Sequence, residues 1–396
     1  MKNLIQNKYT LIFSLLLNFV SCFGQTFFIS LFVVHFLKKF HLSAAQFGLY
    51  YSALTLTGGL LIPQIAKFME TLTWRSVALV IPLVLAGSAL LLSQSGDLPT
   101  MILALFGLRL FGQGISGHMS AVCVVKNISE GRGSALSLSS IGYPMSEALM
   151  PGLCFVLLQK WGLEKTWMSF SVFLVAITPL LYMLARRIQN TSGTATVERT
   201  VAIGEVLKDR VFLRYLPAVL CAPFFMTGIF LYQSSISEMK HWPMEHLSLA
   251  LSGFAFSRFL FSIFSGPLID RIGARRLFSF YLLPLTMALI ILATMNQPWV
   301  SWLFMFIAGV SIGISGPIKS ALWTEIYGPQ LHGRYRSVSS SFMVFSTAAA
   351  PFIFGVLIEQ GVGIKPMLLG SALLIILASL LTLAQNDELP RKLQES

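Results

Sequence analysis

The segment Gly266-Pro267-Leu268-Ile269-Asp270-Arg271-Ile272-Gly273-Ala274-Arg275-Arg276 concentrates charge within an otherwise apolar part of the chain. It lies between two apolar runs, 247–269 and 277–295, each long enough to cross a bilayer. The charged residues are therefore predicted to lie in a very short loop at the membrane surface. Gly266 and Gly273 would permit close helix approach and a tight turn. A helix N-terminus or an arginine could bind the Asp270 carboxylate.

A weaker copy of this loop lies 200 positions earlier, at Ala66-Lys67-Phe68-Met69-Glu70-Thr71-Leu72-Thr73-Trp74-Arg75. Glu70 stands in the place of Asp270, and Arg75 in that of Arg275, whereas Thr73 replaces the second glycine. The two copies resemble the loops that join helices 2 and 3, and helices 8 and 9, in the major facilitator superfamily. In that family the first copy is the stronger one, and here it is the second. The alternative interpretation is a positively charged loop that only sets membrane topology.

Composition places most of the chain in lipid. Hydrophobic residues make up 55% and charged residues 11%, against about 25% charged in soluble domains. Spans of about 20 or more apolar residues indicate membrane helices. Twelve such spans are predicted near 10–36, 46–66, 76–95, 99–126, 134–159, 166–187, 212–237, 247–269, 277–295, 299–325, 337–359 and 366–385.

The chain divides into two similar halves. Residues 188–210 form the one long polar loop, which predicts an N-terminal six-helix bundle (1–187), a cytoplasmic linker (188–210) and a C-terminal six-helix bundle (211–396). Motifs recur about 200 positions apart, as in Gly114-Ile115-Ser116-Gly117 and Gly313-Ile314-Ser315-Gly316. The resemblance implies an all-α membrane protein with twelve transmembrane helices in two pseudo-symmetric bundles.

Lysine and arginine are sorted by loop, which predicts orientation. Most of them fall in one set of loops together with both ends of the chain, so we expect both termini to face the cytoplasm. The net charge of +12 then reflects topology and predicts no nucleic-acid partner. The four cysteines fall inside spans without metal-ligand or disulfide spacing. We expect a lipid-embedded monomer in a bacterial cytoplasmic (inner) membrane, without a cofactor or metal.

Polar residues inside the first-half spans are candidates for a substrate cavity. In helix 1, Ser14, Asn18, Ser21 and Gln25 share one face, so they line either a cavity or a helix–helix contact. In helix 4, Arg109 lies near the middle of the bilayer and shares a face with Gln113. This arrangement resembles a second motif of the superfamily. His118, on the opposite face, is interpreted as a packing residue.

Charged residues inside the second-half spans are further candidates for the substrate cavity. Arg258 lies twelve residues before Asp270 and is therefore deep in the membrane. Lys319 is closer to the cytoplasmic end, and snorkelling toward the interface is the alternative for both side chains. Members of the superfamily that carry monocarboxylates or oxalate have an arginine in helix 8, and Arg258 is similar in position. Phe254 stands where the monocarboxylate members have an acidic residue.

The balance of buried charge favours an anionic substrate. Three cations face one buried carboxylate, Glu147, and an uncompensated buried cation is costly. The residues predicted to bind the substrate are Arg258, Lys319, Arg109, Asn18, Gln25, Gln113, Tyr232 and Gln233.

The sequence contains no enzyme signature and no nucleotide-binding motif, which favours transport driven by an ion gradient. Glu147 and Arg109 are the candidate proton-coupling pair, since a buried carboxylate beside a cation can change its proton affinity between two states. We predict a secondary active transporter, a symporter of a small organic anion with protons, working by alternating access. Proton-driven efflux of drugs or metabolites, neutral-solute transport and a receptor or scaffold without flux are the alternatives.

The charged loops are predicted to form gates. Asp270 is expected to bind the start of helix 11 near Ser337, or Arg334 or Arg336, and Glu70 the corresponding region near Arg132. The predicted gating residues are Gly266, Asp270, Arg271, Gly273, Arg275, Glu70, Arg75, Arg132 and Arg336.

Overall fold

A computed structural model describes residues 7–128, 132–189 and 203–394, and it is almost entirely helical. Most of the predicted linker lies outside the described residues, and so does the side chain of Arg132. In the first half the α-helices are α1 Lys8–Val20, α2 Thr26–Ile29, α3 Val33–Lys39, α4 Ala44–Met69, α5 Trp74–Ser93, α6 Leu98–Gly107, α7 Gly117–Asn127, α8 Arg132–Ser140 and α9 Gly142–Ala185. In the second half they are α10 Ile203–Val206, α11 Arg210–Leu231, α12 Gln233–Met239, α13 Met244–Ile272, α14 Ala274–Phe280, α15 Leu283–Thr294, α16 Val300–Glu359 and α17 Ile364–Gln394.

The described helices account for a multi-pass membrane protein. Nine continuous helical stretches in the described ranges are long and apolar enough to cross a bilayer, or ten when Lys8–Gly24 and Thr26–Lys39, which meet at 44°, count as one span. The 26-residue helix α4 adds a further helix of spanning length. Helix α9 breaks at Gly162 into two segments. The twelve predicted spans are therefore present as helical segments in the described ranges.

The contacts divide the chain into two compact units. Unit 1 comprises Met1–Ser43 and Leu49–Val197, and unit 2 comprises Ala44–Gly48 and Glu198–Ser396. This differs from the predicted boundaries because the first turn of α4 packs with unit 2. There the Tyr232 hydroxyl, which has a single proton to donate, lies 2.8 Å from the main-chain oxygens of both Ala44 and Pro351.

Backbone geometry repeats at the spacing found in the sequence motifs. His41 has φ 51° and His241 has φ 54°, and these are the non-glycine residues with positive φ in the described chain. Gly162 has φ 73° and Gly361 has φ 72°. A left-handed conformation is unfavourable for histidine and easy for glycine. Its recurrence at positions 200 and 199 apart shows that the two halves turn at equivalent points.

The first and fourth predicted spans, 10–36 and 99–126, are both irregular where they meet in unit 1. Residues Ser21–Gly24 form a 3₁₀ turn after α1, and Leu108–Ser116 form a π-helical segment after α6. A Cβ on Gly24 would lie 2.0 Å from the Leu108 oxygen, and one on Gly112 would lie 2.6 Å from the Gly24 nitrogen. The two backbones therefore touch because both positions lack a side chain. π-helical segments are frequent at functional sites.

Candidate functional site

Arg109 forms the centre of a polar cluster inside unit 1. It lies on the π-helical segment and is 3% exposed. Its Nη1 donates to the Tyr51 hydroxyl at 2.6 Å and to Thr26 Oγ1 at 3.1 Å, and its Nη2 donates to Thr55 Oγ1 at 2.8 Å. A longer contact of 3.4 Å reaches the Gly24 oxygen. The guanidinium carbon lies 4.4 Å from the centre of the Tyr51 ring, which adds a cation–π contact.

These acceptors hold the guanidinium without neutralising it. Each is a hydroxyl, an aromatic face or a main-chain carbonyl, and among the described contacts Arg109 has no carboxylate partner. The predicted pairing of Arg109 with Glu147 is therefore not found. The guanidinium instead points toward α2 and α4, and the hydroxyls of Tyr51 and Thr55 on α4 accept its shortest hydrogen bonds. A positive charge prepared in this way can attract an anion.

The Gly24–Gly112 contact positions this cluster, and it predicts a large difference between two glycine substitutions. Gly24→Ala should lower the free energy of unfolding by about 1–3 kcal/mol because its Cβ meets backbone and one helix must shift. Gly58→Ala in α4 meets nothing within 4 Å, so it should be neutral or stabilise by up to about 1 kcal/mol. Thermal unfolding of the two purified variants measures this, and equal effects would show that the contact is unimportant.

The helix 1 stripe is used mainly for packing in this structure. Asn18 donates from Nδ2 to Ser120 Oγ at 2.8 Å and to the Ser139 oxygen at 2.9 Å. Ser120 in turn donates to the Ser14 oxygen at 2.8 Å. Of the alternatives left open by the sequence, these contacts favour a helix–helix contact at Asn18. Gln25 and Gln113 are partly exposed, and their predicted role in binding substrate stays a prediction.

Glu147 is buried in α9 with 5% of its surface exposed. The helix approaches α1 closely at Gly142, where a Cβ would lie 2.2 Å from the Leu15 oxygen. A carboxylate at this depth is costly unless it is hydrogen-bonded or protonated. The predicted role of Glu147 in proton coupling stays a prediction.

Lys319, on α16 of unit 2, has a poor hydrogen-bond partner. Its Nζ lies 3.6 Å from the Met343 sulfur, which is its hydrogen-bond acceptor among the described contacts. A thioether is only a weak acceptor. Like Arg109, Lys319 thus carries a charge that no described acidic side chain pairs with.

The other residues predicted to bind substrate in unit 2 lie in varied surroundings. The main chain of Arg258 lies against Gly313, whose Cβ would be 2.5 Å from the Arg258 oxygen, and its side chain is partly exposed. Tyr232 is fully buried, and main-chain oxygens bind its hydroxyl. Gln233 is also buried. Tyr232 therefore serves packing in this conformation, and the roles of all three in binding stay predictions.

The charged loop of unit 1 forms a cluster that the sequence indicated only in part. His118 Nε2 lies 2.7 Å from Glu70 Oε1, and Lys126 Nζ lies 4.0 Å from Glu70 Oε2 and 3.3 Å from its main-chain oxygen. The interpretation of His118 as a simple packing residue was wrong, since it contacts a carboxylate directly. The missed signal was its spacing of eight residues from Lys126, which brings both side chains to one helix face.

The corresponding loop of unit 2 uses a different carboxylate from the predicted one. Glu325 Oε2 accepts from the main-chain nitrogens of Ala274 at 2.7 Å and Arg275 at 3.3 Å. Arg275 Nε also lies 3.8 Å from Glu325 Oε1. Glu325 thus caps the N-terminus of α14. In unit 1 the equivalent helix, α5, is capped by its own Thr73, whose Oγ1 accepts from Ser76 N at 3.2 Å.

The predicted contact of Asp270 is not found among the described residues. Asp270 is exposed, and Arg334 pairs with Glu205 instead. The hydrogen bond from Arg334 lowers the pKa of Glu205, which keeps that carboxylate charged. Arg336 is exposed. The expected contact with Arg334 is not made because Glu205 already binds that side chain.

The remaining predicted gating residues are mostly at the surface. Arg75 and Arg271 are exposed. Gly273 has φ 87°, which confirms the predicted tight turn, whereas a Cβ on Gly266 would meet nothing within 4 Å. The expected close helix approach at Gly266 was therefore wrong. No group of three or more metal-binding side chains occurs in the described residues.

A protein family and a curated protein are similar in sequence to this chain. The family described as Major Facilitator Superfamily matches residues 14–245 and 233–396. A curated relative, the multidrug resistance protein MdtH of Cronobacter sakazakii, is 33% identical over 76 residues, which is 19% of this chain and 19% of that protein.

Solved structures are similar over almost the whole chain. The nucleoside transporter NupG superposes with a TM-score of 0.75 at 11% identity, covering 95% of this chain and 98% of its own. A bacterial homologue of the human lysosomal transporter Spinster, in an inward-facing and occupied conformation, gives 0.71 at 14% identity, covering 96% and 97%. At these identities the likeness concerns the fold alone.

Proposed function

This chain belongs to the major facilitator superfamily and is a multi-pass membrane transporter rather than an enzyme, and from this premise we propose that it transports a small organic anion together with protons. The cycle is alternating access in a bacterial cytoplasmic membrane, with both ends of the chain in the cytoplasm. The family resemblance, the bacterial relative and the distribution of lysine and arginine support this placement.

The observation that carries the anion proposal is the environment of Arg109. Its guanidinium is buried, and its described partners are neutral groups. A cation held in this way retains its charge, and an anionic ligand would relieve part of the cost of burying it. Lys319 repeats the feature in unit 2. Each unit therefore offers at least one cation to an anionic solute.

Proton coupling is proposed at Glu147, the buried carboxylate of α9. When Glu147 is protonated its burial costs little, and when it is charged it must be solvated or hydrogen-bonded. A conformational change that alters its exposure would therefore change its proton affinity. This supports a symport cycle in which a proton and the anion move together.

The direct test is transport by the purified protein in liposomes. A panel of radiolabelled organic anions would be supplied outside, with the outside made more acidic than the inside. We expect saturable accumulation of at least one anion, which a protonophore should abolish. Accumulation of no anion under either direction of the pH gradient would contradict the proposal.

A second function, proton-driven drug efflux, is favoured by the local similarity to MdtH. Under the same gradient an antiporter would move its substrate in the opposite direction, because protons must enter the vesicles as the drug leaves them. Loading vesicles with a lipophilic cation and acidifying the outside distinguishes the two functions. Proton-dependent release of the cation, without anion uptake, would support efflux.

The loop contacts within unit 2 are proposed to stabilise one conformation of the cycle. Glu325 should be the main contributor, because it binds two main-chain nitrogens and Arg275. Lys126 lies 199 positions before Glu325 and contacts Glu70 in unit 1. The acidic and basic partners therefore exchange places between the two units. The acid lies on the loop in unit 1 and on the neighbouring helix in unit 2.

Glu325→Gln should lower the free energy of unfolding by about 1 kcal/mol, because the amide accepts more weakly at the helix N-terminus and loses its ionic contact with Arg275. The effect is limited because the Glu325 side chain is 40% exposed. Asp270→Asn is the matched control and should change stability by less than about 0.5 kcal/mol. Thermal unfolding compares the two variants, and a larger loss for Asp270→Asn would restore the loop aspartate as the principal contact.

A further inference from the structure

A polar cavity of about 210 Å³ lies at one end of unit 1, where α1 begins and where α7 and α9 end. These helix ends belong to the predicted spans 10–36, 99–126 and 166–187, so the cavity lies at the level where membrane-spanning helices meet water. Its described lining residues are Asn7, Tyr9, Thr10, Asn127, Arg187, Ile188 and Gln189. Six of these seven side chains are polar, and none of the seven is acidic. The cavity is smaller than the sites of about 300–1,000 Å³ that bind drug-sized ligands, and it suits a small polar group.

Two cations contact one aromatic ring of this cavity. The Arg187 guanidinium carbon lies 5.9 Å from the centre of the Tyr9 ring, and Lys8 Nζ lies 5.3 Å from the same centre. Both distances are within the range of a cation–π contact. Among the described residues no carboxylate pairs with Arg187 or Lys8. Because Arg187 is itself a lining residue, its positive charge is part of the cavity wall.

The main chain around the cavity also favours an anion. Helix α1 starts here, its N-cap residue Asn7 makes no side-chain capping bond, and its first turn has no acidic residue. The positive end of its dipole therefore forms one wall. The carbonyl ends of α7 and α9 would repel an anion, but carbonyls at both ends are already hydrogen-bonded. Asn127 Nδ2 donates to the Cys123 oxygen at 2.9 Å, and the Arg187 nitrogen donates to the Leu184 oxygen at 2.9 Å.

We propose that this cavity binds a phosphate group, supplied by an anionic phospholipid or by free phosphate. A guanidinium donates two parallel hydrogen bonds to phosphate oxygens, and the amide and hydroxyl side chains of the wall supply further donors. The position at the ends of three spans favours the lipid, because basic pockets between transmembrane helices bind lipid headgroups. The cavity contains none of the residues predicted to bind substrate, so phosphate binding there is independent of the proposed transport.

Native mass spectrometry of the full-length protein in dodecyl maltoside, a neutral detergent, measures binding of the first phosphatidylglycerol molecule. Arg187→Gln should weaken this binding by about tenfold or more, the effect expected when charge-assisted hydrogen bonds are lost. Arg186→Gln is the matched control, because Arg186 is also exposed and lies outside the cavity. It should change the affinity by less than about threefold, since a solvated charge contributes little. Equal losses in the two variants would show unspecific attraction to positive charge and overturn the proposal.

A second substitution tests the same cavity without removing Arg187. Gln189 lines the cavity and is exposed, so Gln189→Glu should fold normally and place a negative charge beside the bound phosphate. Repulsion should weaken phosphatidylglycerol binding by about tenfold or more. The lipid should raise the unfolding temperature of the wild type and of Arg186→Gln, and not that of Arg187→Gln or Gln189→Glu. Wild-type binding by a folded Gln189→Glu protein would overturn the proposal.

Competition identifies the source of the phosphate. Inorganic phosphate and glycerol 1-phosphate carry the group without acyl chains, and diacylglycerol carries the chains without the group. If either soluble phosphate displaces phosphatidylglycerol at millimolar concentration, the cavity binds free phosphate. If neither does so and diacylglycerol also fails to compete, the cavity binds the headgroup of an anionic lipid. Competition by diacylglycerol as strong as that by phosphatidylglycerol would show that only the acyl chains are bound, and it would overturn the proposal.

Discussion

Arg109→Met is expected to abolish accumulation of the substrate anion while leaving the free energy of unfolding unchanged or increased. The guanidinium is buried among neutral groups, so its charge costs stability that an apolar side chain would not. Its partners keep other hydrogen bonds in the variant. Tyr51 can still donate to Thr26 Oγ1 at 3.1 Å, and Thr55 to the Tyr51 oxygen at 2.9 Å.

Transport in proteoliposomes and thermal unfolding of the same preparations would test this expectation together. Arg109→Lys is the matched control, because it keeps the charge but loses the two-nitrogen geometry that reaches Tyr51 and Thr55. Partial transport by Arg109→Lys and none by Arg109→Met would assign the role to the charge. Wild-type accumulation by a folded Arg109→Met protein would remove Arg109 from substrate binding, and a strong loss of stability would make it a structural residue.

The fold was predictable from sequence because its determinants are local and periodic. Apolar runs of membrane length, the charged loop around Asp270 and the spacing of about 200 residues all lie in the linear pattern. The backbone repeats that spacing at His41 and His241, although no property of the histidine side chain indicated a left-handed conformation. The first turn of α4 joins unit 2 through packing at Gly48, a contact between residues distant in sequence.

The candidate site was predictable only as a set of residue types. Burial of Arg109 followed from its depth in a span, but its partners depend on the 3₁₀ and π-helical segments that meet at Gly24. Those irregular turns rotate side chains away from the regular α-helical faces assumed in the sequence analysis. For the same reason the expected Arg109–Glu147 pair is absent from the described contacts. Glu325 as a cap was also missed, because nothing local connects it with Ala274.

Glu147→Gln is expected to uncouple transport from the proton gradient. Glutamine has nearly the shape of a protonated glutamate and cannot ionise, so it fixes the group in one state. The variant should exchange labelled for unlabelled anion across the membrane at a rate within a fewfold of wild type. It should fail to accumulate the anion when the outside is made acidic, because the step that releases the proton is missing. Because Glu147 is 5% exposed, losing a buried ionisable carboxylate should not destabilise the protein.

Counterflow and pH-driven accumulation, measured on the same proteoliposomes, separate exchange from coupling. Glu164→Gln is the control, since this carboxylate has a side chain 67% exposed and pairs with Lys39 at 2.7 Å; it should keep both activities. A fully coupled Glu147→Gln protein would show that the proton binds elsewhere. Loss of both exchange and accumulation in a folded variant would instead make the charged carboxylate necessary for the conformational change. Only retained exchange with lost accumulation supports proton binding at Glu147, because a substrate-binding role would reduce both activities together.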